Sequence, residues 1–261
     1  MNFVITTGYN PTAATEQAAH EFAQQLNVEF VARNRNSLTA IQKNYHVDVI
    51  LLFSKQGPLI YTDDGNYFFH LSMADLRIKN LKNGKHDHMI NAMQLQPGMS
   101  VLDCTLGLAT DAIVASFVTG PSGKVNGLEN SLLLAFIAKA GLAGFIGESP
   151  DITAALRQIE VIQADSEKYL CTVPNQSYDI VYFDPMFRHP IQSSSNLKPI
   201  RLLADKRPVS LALLAEAKRV ARKRIVLKEM QGSPEFDRLG FTQFVGGKYS
   251  SVQYGIMEVQ H

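Results

Sequence analysis

Asp184-Pro185-Met186-Phe187 follows the apolar run Ile180-Val181-Tyr182-Phe183. A carboxylate set directly after such a run marks the mouth of a buried strand, where side chains leave the core and can meet a ligand. A carboxylate and the following backbone carbonyl can accept the hydrogens of an amine, and an aromatic ring can stack on a planar base. Asp184, Pro185 and Phe187 are therefore the candidate catalytic residues. A strand-ending Asp before a proline turn would carry the same letters without the chemistry.

A second group lies upstream. Val101-Leu102-Asp103-Cys104-Thr105-Leu106-Gly107-Leu108-Ala109-Thr110-Asp111 spells a strand, a tight turn and a helix start. Glu129 ends the next strand, 22 residues after Gly107. An acid there can accept both hydroxyls of a ribose, and a glycine turn lets the ligand approach the backbone. A dinucleotide site would carry three glycines for the pyrophosphate. Here only Gly107 is present, with Thr105 and Ala109 in the other two places, and Asp103 and Asp111 make the turn acidic. An acidic turn repels a pyrophosphate and suits a cationic nucleoside that bears an amino acid. The cofactor expected is S-adenosylmethionine (SAM). Asp165-Ser166, after a third strand, faces the same crevice or caps the next helix.

These residues need a scaffold that lines up strand ends. Strands are expected at residues 100–104, 124–129, 159–163, 179–184, 224–228, 241–245 and 251–258, with helices at 88–95, 109–118, 131–143, 151–157 and 208–222. Strand-helix alternation with apolar, β-branched strands indicates a doubly wound parallel sheet covered on both faces. The last two strands leave no room for a crossover helix and should pair as an antiparallel hairpin at one edge. Residues 1–71 read as a small α/β extension. Its strands are expected at 3–6, 28–32, 47–53, 59–62 and 67–70, and its helices at 12–26 and 37–45. A basic helix is expected over 73–81, and residues 72–261 form the larger domain.

The turn at 103–111, Leu128-Glu129-Asn130, Asp165-Ser166 and Asp184-Pro185-Met186-Phe187-Arg188-His189 together resemble a class I SAM-dependent methyltransferase. Amino-group methyltransferases carry an Asp/Asn-Pro-Pro-aromatic motif at this point of a Rossmann-like sheet. More narrowly, the motifs are similar to the family of the small-subunit ribosomal RNA guanine-N2 methyltransferase J, over residues 72–258. That family carries Leu-Asp-Ala-Thr-Ala-Gly-Leu-Gly-Arg-Asp-Ala, Leu-Glu-Arg, Ala-Ser-Ser and Asp-Pro-Met-Phe-Pro-His. The resemblance implies SAM contacts from Thr110, Asp111, Glu129, Asn130, Asp165, Ser166 and Asp184. Asp103, Thr105 and Gly107 of the turn join that set. Thr110 and Asn130 stand where the family has Arg, Asp165 where it has Ser, and Arg188 where it has Pro. Residues 1–70 differ from the ribosomal enzyme and are similar to a Gram-positive branch of the superfamily. The implied reaction is methylation of a guanine amino group in RNA of the small ribosomal subunit.

Charge supports an anionic partner. The 261 residues carry a net charge of +1, yet residues 198–228 hold ten Lys or Arg against Asp205 and Glu216. Arg201, Lys206 and Arg207, with Arg188 and His189, are the candidate substrate contacts, and Arg222 and Lys223 extend the patch. Arg77, Lys79, Lys82 and Lys85 could join it. A solvated helix face would carry the same charges. The alternatives are a methyltransferase of a protein or small metabolite, and a non-catalytic RNA-binding relative. Residues 193–196 are either a substrate lid or a linker.

The longest apolar run, 132–138, is seven residues, against about 20 for a membrane span. The opening residues lack a basic start and a long apolar stretch, so a cytoplasmic location is expected. Cys104 and Cys171 cannot build a disulfide framework. His86 and His88 lack a third ligand, and no metal is expected.

Overall fold

The computed structural model describes residues 2–71, 73–186 and 202–260. They divide into two compact units, residues 2–70 with 202–203 and residues 71–186 with 204–260. The expectations for Phe187, Arg188, His189, residues 193–196 and Arg201 fall outside the described residues.

The first unit contains β1 (Phe3–Thr7), α1 (Ala13–Leu26), α2 (Leu38–Tyr45), β2 (Val49–Ser54), β3 (Gly57–Thr62) and β4 (Gly65–Phe68). Thr12 and Ser37 cap the two helices by accepting the N–H groups of Thr15 and Ala40 at 3.1 and 3.0 Å. β1 pairs with β2 in parallel, and β2, β3 and β4 follow as an antiparallel meander. Val4, Val31, Ile41, Val47 and Ile50 pack into one core cluster. The strand expected at 28–32 is instead an isolated bridge, Phe30 against Ile5. Left-handed Asn27 and Asn34, at φ 52° and 36°, turn the chain in and out of the sheet before a ladder can lengthen.

The second unit contains α3 (Met73–Lys82), α4 (His88–Met93), β5 (Ser100–Asp103), α5 (Thr110–Thr119), β6 (Lys124–Glu129), α6 (Leu132–Gly144), α7 (Pro150–Arg157), β7 (Ile159–Gln163), α8 (Ser166–Leu170) and β8 (Tyr178–Phe183). α9 (Leu211–Val220), β9 (Ala221–Met230), α10 (Pro234–Leu239), β10 (Gln243–Val245) and β11 (Val252–Glu258) complete it. The seven strands lie in the order β10-β11-β9-β8-β5-β6-β7. β5 to β9 are mutually parallel, and β11 runs antiparallel to both β9 and β10. This is the doubly wound sheet with an antiparallel hairpin at its edge. Its central strands are apolar on both faces because helices cover both.

Register decides function here. Asp103 stands opposite Gly127 on one side and Tyr182 on the other, and Phe183 stands opposite Leu227. The residues that follow these pairs (Glu129, Asp184 and Lys228) therefore emerge together at the carboxyl edge. β11 runs the other way and places Tyr254 opposite Lys228.

Several boundaries differ from expectation, two of them with a visible cause. The helix expected over 208–222 stops at Val220, and Arg222 and Lys223 belong to β9. Arg219 fixes that helix end by donating to the carbonyls of Leu170 and Val173, both at 2.7 Å. The strand expected from Phe241 begins at Gln243, because the Phe241 ring turns into the core against Phe236. The short α10 was not anticipated, although Ser233 as N-cap, Pro234 in the first turn and left-handed Gly240 after the end are the usual signals. No helix among the described residues is long and apolar enough to cross a membrane.

Candidate active site

The turn after β5 is built by backbone geometry. Gly107 at φ +49° lets the chain reverse and directs its N–H to Glu129 Oε2 at 3.0 Å. Leu106 folds over Gly127, where any Cβ would collide with its side chain, and donates its N–H to the Leu128 carbonyl at 2.9 Å. Two glycines thus seat the turn on β6. Ala109 adopts φ +58° immediately before α5, a left-handed conformation that costs a residue with a Cβ about 1–2 kcal/mol.

Glu129 is buried, and its Oε1 accepts the Ser131 N–H at 2.8 Å. Burial raises its pKa against the opposing pull of these N–H groups. Each carboxylate oxygen keeps a second lone pair, so the pair can still accept two hydroxyls. Asp103, 2% exposed, accepts the Thr105 N–H at 2.9 Å and its hydroxyl at 3.3 Å. The same Thr105 Oγ1 accepts the Asp184 N–H at 2.6 Å. One threonine therefore stitches the mouths of β5 and β8 together. Burial, with Asp111 and Asp184 nearby, pushes Asp103 up to about 8.

Asp184 sits just beyond β8. Its Oδ2 accepts Lys228 Nζ at 2.7 Å. Among the described residues no donor reaches its Oδ1. Burial pushes it up to about 6; Lys228 pulls it down and Asp111 pushes it up. Asp165 caps α8 by accepting the Lys168 N–H at 3.1 Å, and Ser166 opens that helix. Burial would raise Asp165, but Arg207 at 2.7 Å outweighs it and holds the carboxylate low. Asn130 donates to Asp205 Oδ2 at 3.2 Å. Thr110 begins α5, and Lys206 is exposed.

Asp111 is surrounded. Tyr182 donates to its Oδ2 at 2.7 Å, Lys228 reaches the same oxygen at 3.0 Å, and Arg77 pairs with its Oδ1. These partners hold it well below the ordinary carboxylate range despite burial.

The basic segment is not one face. Lys228 is turned inward onto Asp111 and Asp184. Arg222 and Lys223 lie 3.8 and 3.5 Å from Asp179, at the start of β8 and so at the opposite edge of the sheet. Arg219 is spent on helix-end carbonyls, and Arg224 pairs with Glu258 at 2.7 Å. Strand polarity explains the correction: β9 begins at one edge and ends at the other. Arg77 likewise faces inward, held bidentately by Asp87 at 2.7 and 2.9 Å.

Lys228, Arg77, Asp87, Tyr182 and Tyr254 were not anticipated near the site. Lys228 did carry a signal, since it ends the apolar run Ile225-Val226-Leu227 as Asp184 ends its own. Arg77 carried none; it meets Asp111 only through the fold. No group of three or more His, Cys, Asp or Glu among the described residues is arranged to hold a metal ion.

The donor set has a clear preference. Asp103, Asp111, Glu129, Asp165 and Asp184 crowd one edge, against the cations of Arg77, Arg207 and Lys228. A ligand with a sulfonium, an α-ammonium and a ribose diol fits that acidic edge, and a pyrophosphate does not. The model of SAM-dependent methyltransferases (SAM_MT) matches residues 21–248. The chain belongs to this family. It is a SAM-dependent methyltransferase, and its cofactor is SAM. A Bacillus subtilis relative, the uncharacterized protein YpiP, is 35% identical over 98% of this chain and 99% of its own length. Ribosomal RNA small subunit methyltransferase J of Pseudoalteromonas atlantica is 28% identical over 88% of this chain and 90% of its own. The namesake from Coxiella burnetii is 28% identical over 87% of each. The crystal structure of a SAM-dependent methyltransferase from Neisseria gonorrhoeae superposes with a TM-score of 0.66, covering 98% of this chain and 95% of that one at 16% identity. That likeness shows the fold.

Proposed function

We propose that this methyltransferase modifies the exocyclic amino group of a guanine in RNA of the small ribosomal subunit, in the cytoplasm. The observation that carries the reading is the Asp184 carboxylate at the mouth of β8, followed by Pro185 and Met186. One of its oxygens is fixed by Lys228, the other meets no donor among the described residues, and its backbone is pinned by Thr105. The relatives named ribosomal RNA small subunit methyltransferase J supply the substrate class.

In this reading Glu129 accepts the ribose hydroxyls, and Asp103, with Thr105 and Gly107 shaping the turn, faces the methionine ammonium. Asp165 and Ser166 meet the adenine, while Thr110 and Asn130 line the edges. Asp111 acts from behind, through Lys228. Bound SAM supplies an electrophilic methyl group. A guanine amine is a poor nucleophile because its lone pair is delocalised into the ring. Asp184 Oδ1 accepts one amine hydrogen and the Pro185 carbonyl the other, which aims the nitrogen lone pair. Once the nitrogen becomes cationic, Oδ1 can take its proton. Phe187 stacks on the base. Arg188, His189, Arg201, Lys206 and Arg207 are the proposed RNA contacts. Alignment and exclusion of water supply most of the acceleration.

Mass spectrometry of nucleosides from small-subunit RNA tests this in cells with and without the gene. Loss of an N2-methylated guanosine is expected. An unchanged nucleoside profile overturns the substrate assignment.

A further inference from the structure

We propose that Lys228 is a positioning residue for methyl transfer: its ammonium holds the Asp184 carboxylate ionised and oriented, with Oδ1 directed to the acceptor amine. This rests on the role given to Asp184 above.

The geometry is a chain of alternating charge. Asp87 caps α4 through the Met89 and Ile90 N–H groups at 3.0 and 3.2 Å and grips Arg77 of α3. Arg77 grips Asp111 of α5. Asp111 holds Lys228 of β9 at 3.0 Å, and Lys228 holds Asp184 at 2.7 Å. The Lys228 side chain is 20% exposed and the Asp111 side chain 8%. A mostly buried lysine between two carboxylates is unusual when stability is the only demand, because desolvating the ions costs much of what their attraction returns. Neutral packing would serve a core equally well. The chain instead ends on a carboxylate whose Oδ1 meets no donor among the described residues.

Among the described residues Lys228 is the cation that opposes a ring of groups working against ionisation of Asp184. Asp111 of α5 repels its charge, and Asp103 of β5, which keeps its proton up to about 8, offers no positive charge in return. Tyr182 of β8 spends its hydroxyl on Asp111, and Tyr254 of β11 stands beside Lys228. Arg77 reaches Asp184 only through Asp111. Without the ammonium, the proton stays on Asp184 at neutral pH. A protonated carboxyl no longer offers the same acceptor to the amine and has no room for its proton. Lys228 cannot reach the methyl acceptor as a base, because the two carboxylates keep it charged.

The test uses the full chain with selectively ¹³C-labelled aspartate, Asp184 being assigned by its loss in Asp184→Asn. In Lys228→Met the Asp184 carboxyl titration should move up by about one to three pH units, as for loss of an adjacent opposite charge. Lys228→Arg should keep the parent midpoint. With small-subunit RNA from cells lacking the gene as probe, the acid limb of kcat should move by the same amount. KM for RNA and SAM affinity by calorimetry should stay within about twofold. In an Asp184→Asn background, Lys228→Met should change kcat no further. If Lys228→Met does not fold, Lys228→Gln keeps a donor to both carboxylates without the charge and carries the same expectation. An unshifted Asp184 titration in a folded neutral variant overturns the proposal. Absence of methyl transfer by the parent overturns the substrate reading instead, and leaves the titration to decide on Lys228.

Discussion

The two edges of the seven-stranded sheet handle charge in opposite ways. At the amino edge, Asp179 accepts the Ser100 N–H and hydroxyl, both at 2.9 Å, and faces Arg222 and Lys223. Arg224 pairs with Glu258 nearby. Each of these pairs has one well-exposed partner, and such a pair contributes about 0–1 kcal/mol. At the carboxyl edge, carboxylates outnumber their cations, and two of them, buried Asp103 and partly exposed Asp184, are pushed up to about 8 and about 6. Burying unmatched carboxylates costs stability. An edge that keeps them is built for a ligand that completes the charge balance.

The largest effect that sharpens this contrast comes from Asp184. Asp184→Ala should lower kcat by roughly 10²–10³-fold, the scale of one lost group that orients the reacting atoms, with the melting transition kept. Full activity would place the methyl acceptor elsewhere. The same substitution at the amino edge, Asp179→Ala, should cost stability through the orphaned Ser100 N–H and leave kcat alone.

Glu129 comes next. Loss of its charged contacts to a ribose should weaken SAM by about 1.5–3 kcal/mol, or roughly 10- to 150-fold. Calorimetry on Glu129→Ala decides it, and binding within twofold of the parent removes the ribose assignment.

The raised Asp103 makes two linked expectations. A buried acid with a folded-state value near 8 holds its proton when folded and loses it when unfolded above about pH 4. The folded state therefore binds the extra proton between these values, and stability falls as pH rises through that window. Asp103→Asn should flatten the decline, measured as melting temperature against pH from 5 to 8. If Asp103 meets the methionine ammonium, SAM binding should also release protons near pH 7. Calorimetry in buffers of different ionisation enthalpy reads this release, which should vanish in Asp103→Asn.

Much of the carboxyl edge was legible in the sequence because its signals are local. Gly107 needed a positive φ, Glu129 ended an apolar strand at the right distance, and Asp184-Pro185 closed another. The parallel strands and edge hairpin of the seven-stranded sheet could be read from apolar runs and connection lengths. What was lost depends on distance along the chain. The 198–228 segment looked like one basic patch because sequence proximity hides strand polarity, which sends Arg222 and Lys228 to opposite edges. Arg77 meets Asp111 across 34 residues, a pairing that no spacing rule announces. The bridge at Phe30 failed as a strand because its β-branched neighbours said nothing of the left-handed turns around it.

The smallest effect bears on RNA, and it divides the two edges most directly. Lys206 is exposed and adjoins Arg207, whose guanidinium touches Asp165 at the carboxyl edge, whereas Arg222 and Lys223 are engaged by Asp179 at the other. If RNA crosses the carboxyl edge, Lys206→Glu removes one phosphate contact and adds a repulsion. The slope of log affinity against log salt should then flatten by about 0.7–0.9, the release of counterions from one phosphate, while SAM affinity holds. Arg222→Glu/Lys223→Glu changes charge by twice as much, yet should leave both slope and affinity unchanged, because those residues lie a full strand length from the site. Filter binding at several salt concentrations distinguishes the two. Equal sensitivity at both edges would mean that RNA reads the net charge of the molecule rather than the mouth of its sheet.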